Sequence, residues 1–242
     1  MANSYFNFKQ FSICQEGVGM KVSTDACIQG ALAARHWQDI QPKSILDIGT
    51  GTGLLSLMLA QSLPNSLITS IEIDEVAFEK AKENFSKSKW NKNITAIQQA
   101  LQDYQCPIVG FDYIICNPPF FHNHLQAPLQ QRNWARHDHV LSKDVLASKV
   151  KQLLSPNGQC CMLYPQSEWE AWEKTCIHHD LYPFRIFEIK PNCNKKPNRI
   201  VGFYANAPCL NTEVKQIEIY EDSTQNYTLR FKNLLKDYYL NL

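Results

Sequence analysis

The sequence predicts an α/β fold: a seven-stranded, mostly parallel sheet, helices on both faces, ending in an antiparallel hairpin. Three observations predict it. From residue 44 onward, short β-rich runs alternate with amphipathic helical stretches. The runs are almost continuously apolar, as strands buried on both faces must be. The last two runs are joined only by residues 191–198, too short a link for a crossover helix, so that pair is antiparallel.

The elements follow in order. Residues 8–13 and 18–23 flank Gln15–Gly17 and read as a small N-terminal hairpin. Thr24 reads as the N-cap of a helix over 25–37. The sheet runs are 44–49, 67–74, 93–100, 111–116, 158–164, 184–190 and 199–205, and the helical stretches between them are 53–63, 75–89, 142–154 and 166–179. Pro64-Asn65 and Pro156-Asn157-Gly158 close two of the helices. The tail holds a strand-like run, 214–220, a polar turn, and an amphipathic stretch over 229–240.

With 242 residues, 44% hydrophobic and 19% charged, the chain reads as a single domain over 1–242. Residues 1–43 form an N-terminal hairpin-and-helix extension, and 206–242 a C-terminal tail. The net charge of +1 gives no overall pull on nucleic acid, so any such contact must come from local basic patches. The N-terminus has no signal-peptide pattern and no run reaches the roughly 18 apolar residues of a bilayer span, so a cytoplasmic location without membrane contact is expected. The nine cysteines are irregularly spaced, with no C-x-x-C pair, and read as reduced thiols rather than a disulfide framework. No metal site is expected.

Asp47 ends a buried run and is followed by Gly49, Gly51 and Gly53 at alternate positions. Glycines let the backbone turn tightly and approach a ligand, and the next helix offers its N-terminus. The dinucleotide fingerprint G-x-G-x-x-G needs its third glycine where Leu54 stands. The loop therefore points to S-adenosylmethionine rather than NAD. Glu72, with Ile73 beside it, closes the next run, where a carboxylate accepts ribose hydroxyls. Class I methyltransferases, which this loop and acid resemble, often carry an acid for the adenine amine after the third run, where this chain has Ala100-Leu101. Adenine contact then rests on backbone N–H groups or on Asp103.

Asn117, Pro118, Pro119 and Phe120 follow the fourth run directly, which places them at the carboxyl edge of the sheet, where open α/β folds bind ligands. A conjugated amine must be held with its lone pair in line before it attacks a sulfonium methyl. The Asn117 side-chain oxygen and the Pro118 carbonyl can accept its two N–H bonds, and favour the charge that grows on nitrogen. The prolines fix the backbone, and Phe120 can stack on the base.

The N-P-P-F motif after the fourth run resembles amino-group methyltransferases, and the sheet with its terminal hairpin resembles the class I methyltransferase (Rossmann-like) fold. More of the chain is similar to one branch. GMKVSTDACIQGALAA, LDIGTGTGLLSLMLAQ, SIEID, CNPPFF, APLQQRNWARHDHVLS and YTLRFKNLLKDYYL look like the bacterial tRNA1(Val) (adenine(37)-N6)-methyltransferase family over nearly the whole length. The family commonly has Tyr-Phe where this chain has Phe120-Phe121. The resemblance implies N6-methylation of an anticodon-loop adenine with S-adenosylmethionine, tRNA as partner, and no obligate protein partner. It places Lys21, Thr24 and Asp25, with Asn117, beside the cofactor. It places Phe121, Arg132 and Arg136 at the substrate entrance.

Some residues carry a second reading. Arg132 and Arg136, four apart, also fit a solvated helix face. Asp25 also fits a helix-start charge. Lys195, Lys196 and Arg199, with Lys190, suit phosphate contact or an ordinary solvated loop. Two other activities use an N-P-P clamp: glutamine N5-methylation of release factors and guanine-N2 methylation of ribosomal RNA. The first calls for a larger N-terminal domain than residues 1–43 supply.

Overall fold

The computed structural model describes residues 4–106, 110–119, 141–222 and 224–242. Two short strands open the chain, β1 (Tyr5–Asn7) and β2 (Ser12–Cys14), followed by α1 (Thr24–Gln38). Then come β3 (Ser44–Ile48), α2 (Leu54–Ser62), β4 (Leu67–Glu72), α3 (Glu75–Ser86), β5 (Ile94–Gln98) and a 3-10 turn over Leu101–Asp103. Next are β6 (Phe111–Cys116), α4 (Lys143–Leu153), β7 (Leu154–Pro165), α5 (Gln166–His178), β8 (Tyr182–Lys190) and β9 (Arg199–Ala205). The tail holds β10 (Glu213–Glu218) and α6 (Leu229–Leu235).

The main sheet has the order β10-β8-β9-β7-β6-β3-β4-β5. β3 pairs in parallel with both β4 and β6, and β9 is antiparallel to both β7 and β8. From β3 the chain winds outward through β4 and β5, then returns to β6 on the other side. The crevice between the carboxyl ends of β3 and β6 is therefore the topological switch point. Alternate residues of the central strands feed two cores. Ile45, Tyr113, Ile115, Cys161 and Leu163 pack with α1, α2, α3 and α6. Leu46, Ile114, Cys116, Cys160 and Met162 pack with α4 and α5.

The seven predicted strands lie in one sheet, and the tail adds an eighth: β10 runs parallel to β8, with Ile217 opposite Ile189. The N-terminal hairpin differs from its prediction. Its strands are β1 and β2, one turn earlier, and residues 18–23 form no strand. Aromatic packing sets this register: Phe8 and Phe11 stack at 4.5 Å across the turn, and Phe8 bridges Tyr239 of the tail. Ser23, not Thr24, caps α1, accepting from the Ala26 N–H at 3.2 Å. β7 starts directly after α4, so Pro156-Asn157-Gly158 lies within a strand rather than closing the helix. The ladder shifts register there, between Phe111 and Tyr113 of β6, which absorbs the irregular segment.

Candidate active site

The loop after β3 is built from three left-handed glycines: Gly49 at φ 66°, Gly51 at 58° and Gly53 at 86°. Their surroundings differ. A Cβ on Gly53 would sit 2.3 Å from the Phe85 ring, so that glycine lets α2 pack against α3. A Cβ on Gly49 or Gly51 would meet nothing within 4 Å, so their backbone borders open space. The loop is tied to β4: Gly49 and Thr50 donate to the Ile71 carbonyl at 2.9 and 3.0 Å, and Gly51 donates to Glu72 Oε2 at 2.8 Å.

Asp47 is fully buried beneath this loop. Its Oδ2 accepts from Thr50 Oγ1 and Ser56 Oγ, both at 2.6 Å, while Oδ1 has no partner among the described residues. Burial, helped by the nearby Glu72 carboxylate, pushes its carboxyl up to about 6, against the pull of those two hydroxyls and the Ser56 backbone N–H. Glu72 Oε1 accepts from the Ile73 and Asp74 N–H groups at 2.9 and 3.0 Å. Burial raises its carboxyl also, and three backbone donors oppose the shift. Ile73 is half exposed beside it. The Ala100 and Leu101 side chains are buried, Leu101 within the second core, and Asp103 is exposed one turn on.

Asn117 and the two prolines continue from β6 on the other side of the crevice. Asn117 Oδ1 is buried with no hydrogen-bond partner among the described residues. A buried acceptor left open costs stability unless a ligand meets it. Phe120, Phe121, Arg132 and Arg136 lie outside the described residues.

Asp25 and Arg199, assigned above to cofactor and substrate, come together as an ion pair, Arg199 Nε to Asp25 Oδ2 at 3.0 Å. Burial raises the Asp25 carboxyl and Arg199 holds it back. Arg199 opens β9 opposite Pro165, at the end of β7, so the pair ties the start of α1 to the ligand edge of the sheet. Thr24 is half-buried at that start, and Lys21 is exposed just before it. Lys195 and Lys196 are exposed on the 191–198 connection. They line a shallow cleft of about 410 Å³ with Lys190, Glu188 and Gln216 of β10. Among the described residues, Asp144, His178 and His179 bring ligand-type atoms within 4.8 Å, through an exposed His179–Asp144 pair between α4 and α5.

Sequence reasoning missed two buried amides. Asn84 of α3 accepts from the Cys14 N–H at 2.8 Å and donates to the carbonyls of Thr52 (2.9 Å) and Cys14 (3.1 Å), joining the glycine loop to the N-terminal hairpin. Gln29 of α1 reaches the end of β6. The available signal was a single amide on an otherwise apolar helix face.

A parallel sheet crossed over at β3, a glycine loop above a buried acid, and across the crevice an asparagine acceptor without a partner among the described residues define a class I methyltransferase fold. The chain matches the family described as "Methyltransferase domain" over residues 41–227. Its fold is similar to that of a predicted O-methyltransferase from Agrobacterium tumefaciens (TM-score 0.66, 14% identity, 88% of this chain and 96% of that one). It is also similar to that of a SAM-dependent methyltransferase from Aquifex aeolicus (TM-score 0.56, 12% identity, 77% and 94%). A tRNA1(Val) (adenine(37)-N6)-methyltransferase from Bacteroides thetaiotaomicron is 37% identical over the whole of both chains. One from Vibrio vulnificus is 38% identical over 98% of this chain and 96% of its own. The chain belongs to the tRNA1(Val) (adenine(37)-N6)-methyltransferase family. S-adenosylmethionine, the methyl donor expected from the glycine loop and Glu72, fits the residues of this crevice. The open flank of Gly49 and Gly51 leaves room for it, and Asp47 Oδ1, without a partner among the described residues, suits a cationic amino acid end.

Proposed function

We propose that this protein methylates N6 of adenine 37 in tRNA1(Val), the activity its full-length relatives are named for. The observation that carries the reading is the buried Asn117 Oδ1 at the switch point, without a partner among the described residues. Bound S-adenosylmethionine supplies an electrophilic methyl group; the chain's residues do the rest. Glu72 takes the ribose hydroxyls on the lone pairs its three backbone bonds leave, and Ile73 covers the adenine face. Asp47 Oδ1 takes the ammonium. Asn117 Oδ1 and the Pro118 carbonyl accept the two N6–H bonds of the target adenine, aim its lone pair and stabilise the charge that develops on nitrogen. The prolines hold those acceptors without reorganisation. Lys195 and Lys196 contact tRNA phosphates beside the crevice.

We read residues 1–242 as one domain acting where tRNA is, in the cytoplasm. No helix among the described residues is long and apolar enough to cross a membrane. The test is tritiated methyl transfer to total tRNA from a strain lacking the enzyme, alongside release factor and ribosomal RNA. Label in N6-methyladenosine at one anticodon-loop position is expected. Label in glutamine or N2-methylguanosine, with none in N6-methyladenosine, overturns the reading.

A further inference from the structure

Gln29 lies on a face of α1 otherwise made of apolar side chains, and it is fully buried. Its Nε2 donates to the Cys116 carbonyl at 2.9 Å and the Cys161 carbonyl at 3.3 Å. These residues lie on neighbouring parallel strands, Ile115 being opposite Cys161 and Cys116 opposite Met162. The amide orientation follows from chemistry: turned over, Oε1 would face two carbonyl oxygens. Its own oxygen has no partner among the described residues, so packing alone gives no reason for an amide here.

The Cys116 carbonyl belongs to the peptide group that leads into Asn117. Beyond it stand Pro118 and Pro119, which have no N–H to offer. The plane of the Cys116–Asn117 peptide is thus pinned from below, by a donor from α1. Asn117 Oδ1, buried and without a partner among the described residues, aims only as well as that backbone is held. Transfer in line tolerates little error: a misplacement of about 1 Å can cost on the order of 10²-fold.

We propose that Gln29 is a positioning residue for the amine clamp, presetting Asn117 before substrate arrives by stapling the end of β6 to β7. This rests on the reading of Asn117 as an amine acceptor. The test is a double-mutant cycle between Gln29→Leu and Asn117→Ala, read as single-turnover methyl transfer to tRNA at saturating cofactor, with the Kd for S-adenosylmethionine measured in parallel. Gln29→Leu alone should slow turnover about 10- to 100-fold and leave the cofactor Kd within about 2-fold. In the Asn117→Ala background the same change should cost less than about 2-fold, because no aimed oxygen remains to misplace. An equal loss in both backgrounds, or unchanged turnover in folded Gln29→Leu, overturns the proposal. If Asn117→Ala alone keeps wild-type turnover, the clamp reading fails first, and this proposal with it. Gln29→Glu is the second variant, since its carboxyl donates a hydrogen bond only while protonated. Its turnover, relative to wild type, should rise as pH falls; a profile parallel to wild type counts against the role.

Discussion

Asn117 and Asp47 each hold a buried oxygen without a hydrogen-bond partner among the described residues, and each leads to a separate prediction. In the proposed clamp, Asn117→Ala removes an acceptor needed only as the amine reacts. Its turnover should fall on the order of 10²-fold or more, with cofactor affinity little changed, as steady-state kinetics and calorimetry would record. Asp47 predicts a pH dependence. Its folded value of about 6 stands above its ordinary 3.8 because burial disfavours the anion. A raised carboxyl adds stability below the unfolded value, and that stability is lost as pH rises through the folded value. The unliganded protein should therefore lose stability between about pH 4 and 6, on the order of 3 kcal/mol. Asp47→Asn should melt higher than wild type at pH 7.5, with little difference at pH 4. In the proposed site the ammonium pairs with the ionised form, so S-adenosylmethionine affinity should weaken about tenfold per pH unit below about 6. Calorimetry that finds a flat Kd from pH 5 to 7.5 would remove Asp47 from the cofactor site.

At the scale of the element, the glycine loop divides its labour. Gly53 faces the Phe85 ring and Gly51 faces open space, although both are left-handed. An alanine at either position carries a left-handed strain of about 1–2 kcal/mol. At Gly53 it must also displace an aromatic ring from the α2–α3 contact. Gly53→Ala should therefore lose clearly more stability than Gly51→Ala in urea unfolding. Gly51→Ala should mainly weaken cofactor binding, because its methyl group projects into the space the ligand uses. Similar unfolding midpoints for the two would contradict this division. The tail is another element whose role its packing explains. Tyr238 donates to the Met58 carbonyl or Ser62 Oγ of α2, and Phe231 is fully buried in the first core. The terminal motif thus braces α1 and α2 as a structural part of the fold.

For the whole molecule, a net charge of +1 leaves tRNA affinity to local charge. Arg199 is already engaged with Asp25, and Glu188 and Gln216 line the cleft beside Lys195 and Lys196. Replacing Lys195 and Lys196 with alanine should weaken tRNA binding and lower the slope of log affinity against log salt by up to about 2, without altering cofactor binding. Filter binding across a salt series would measure it. An unchanged slope would leave these lysines as an ordinary solvated loop.

The sequence by itself determined the sheet, its terminal hairpin, and the placing of the glycine loop and the N-P-P clamp at strand ends. Apolar runs, helical periodicity and turn residues are local signals, readable one segment at a time. Only the tertiary structure decided the register of the N-terminal hairpin, the joining of β10 to the sheet, and the polar contacts from Asn84 to Thr52, Gln29 to Cys116 and Asp25 to Arg199. The predicted cap at Thr24 moved to Ser23, whose extended backbone lets its hydroxyl accept from the Ala26 N–H. A buried amide or ion pair between distant segments leaves no periodic trace in the chain. Its partner is set by which strand ends and helix faces meet once two cores have closed around one sheet.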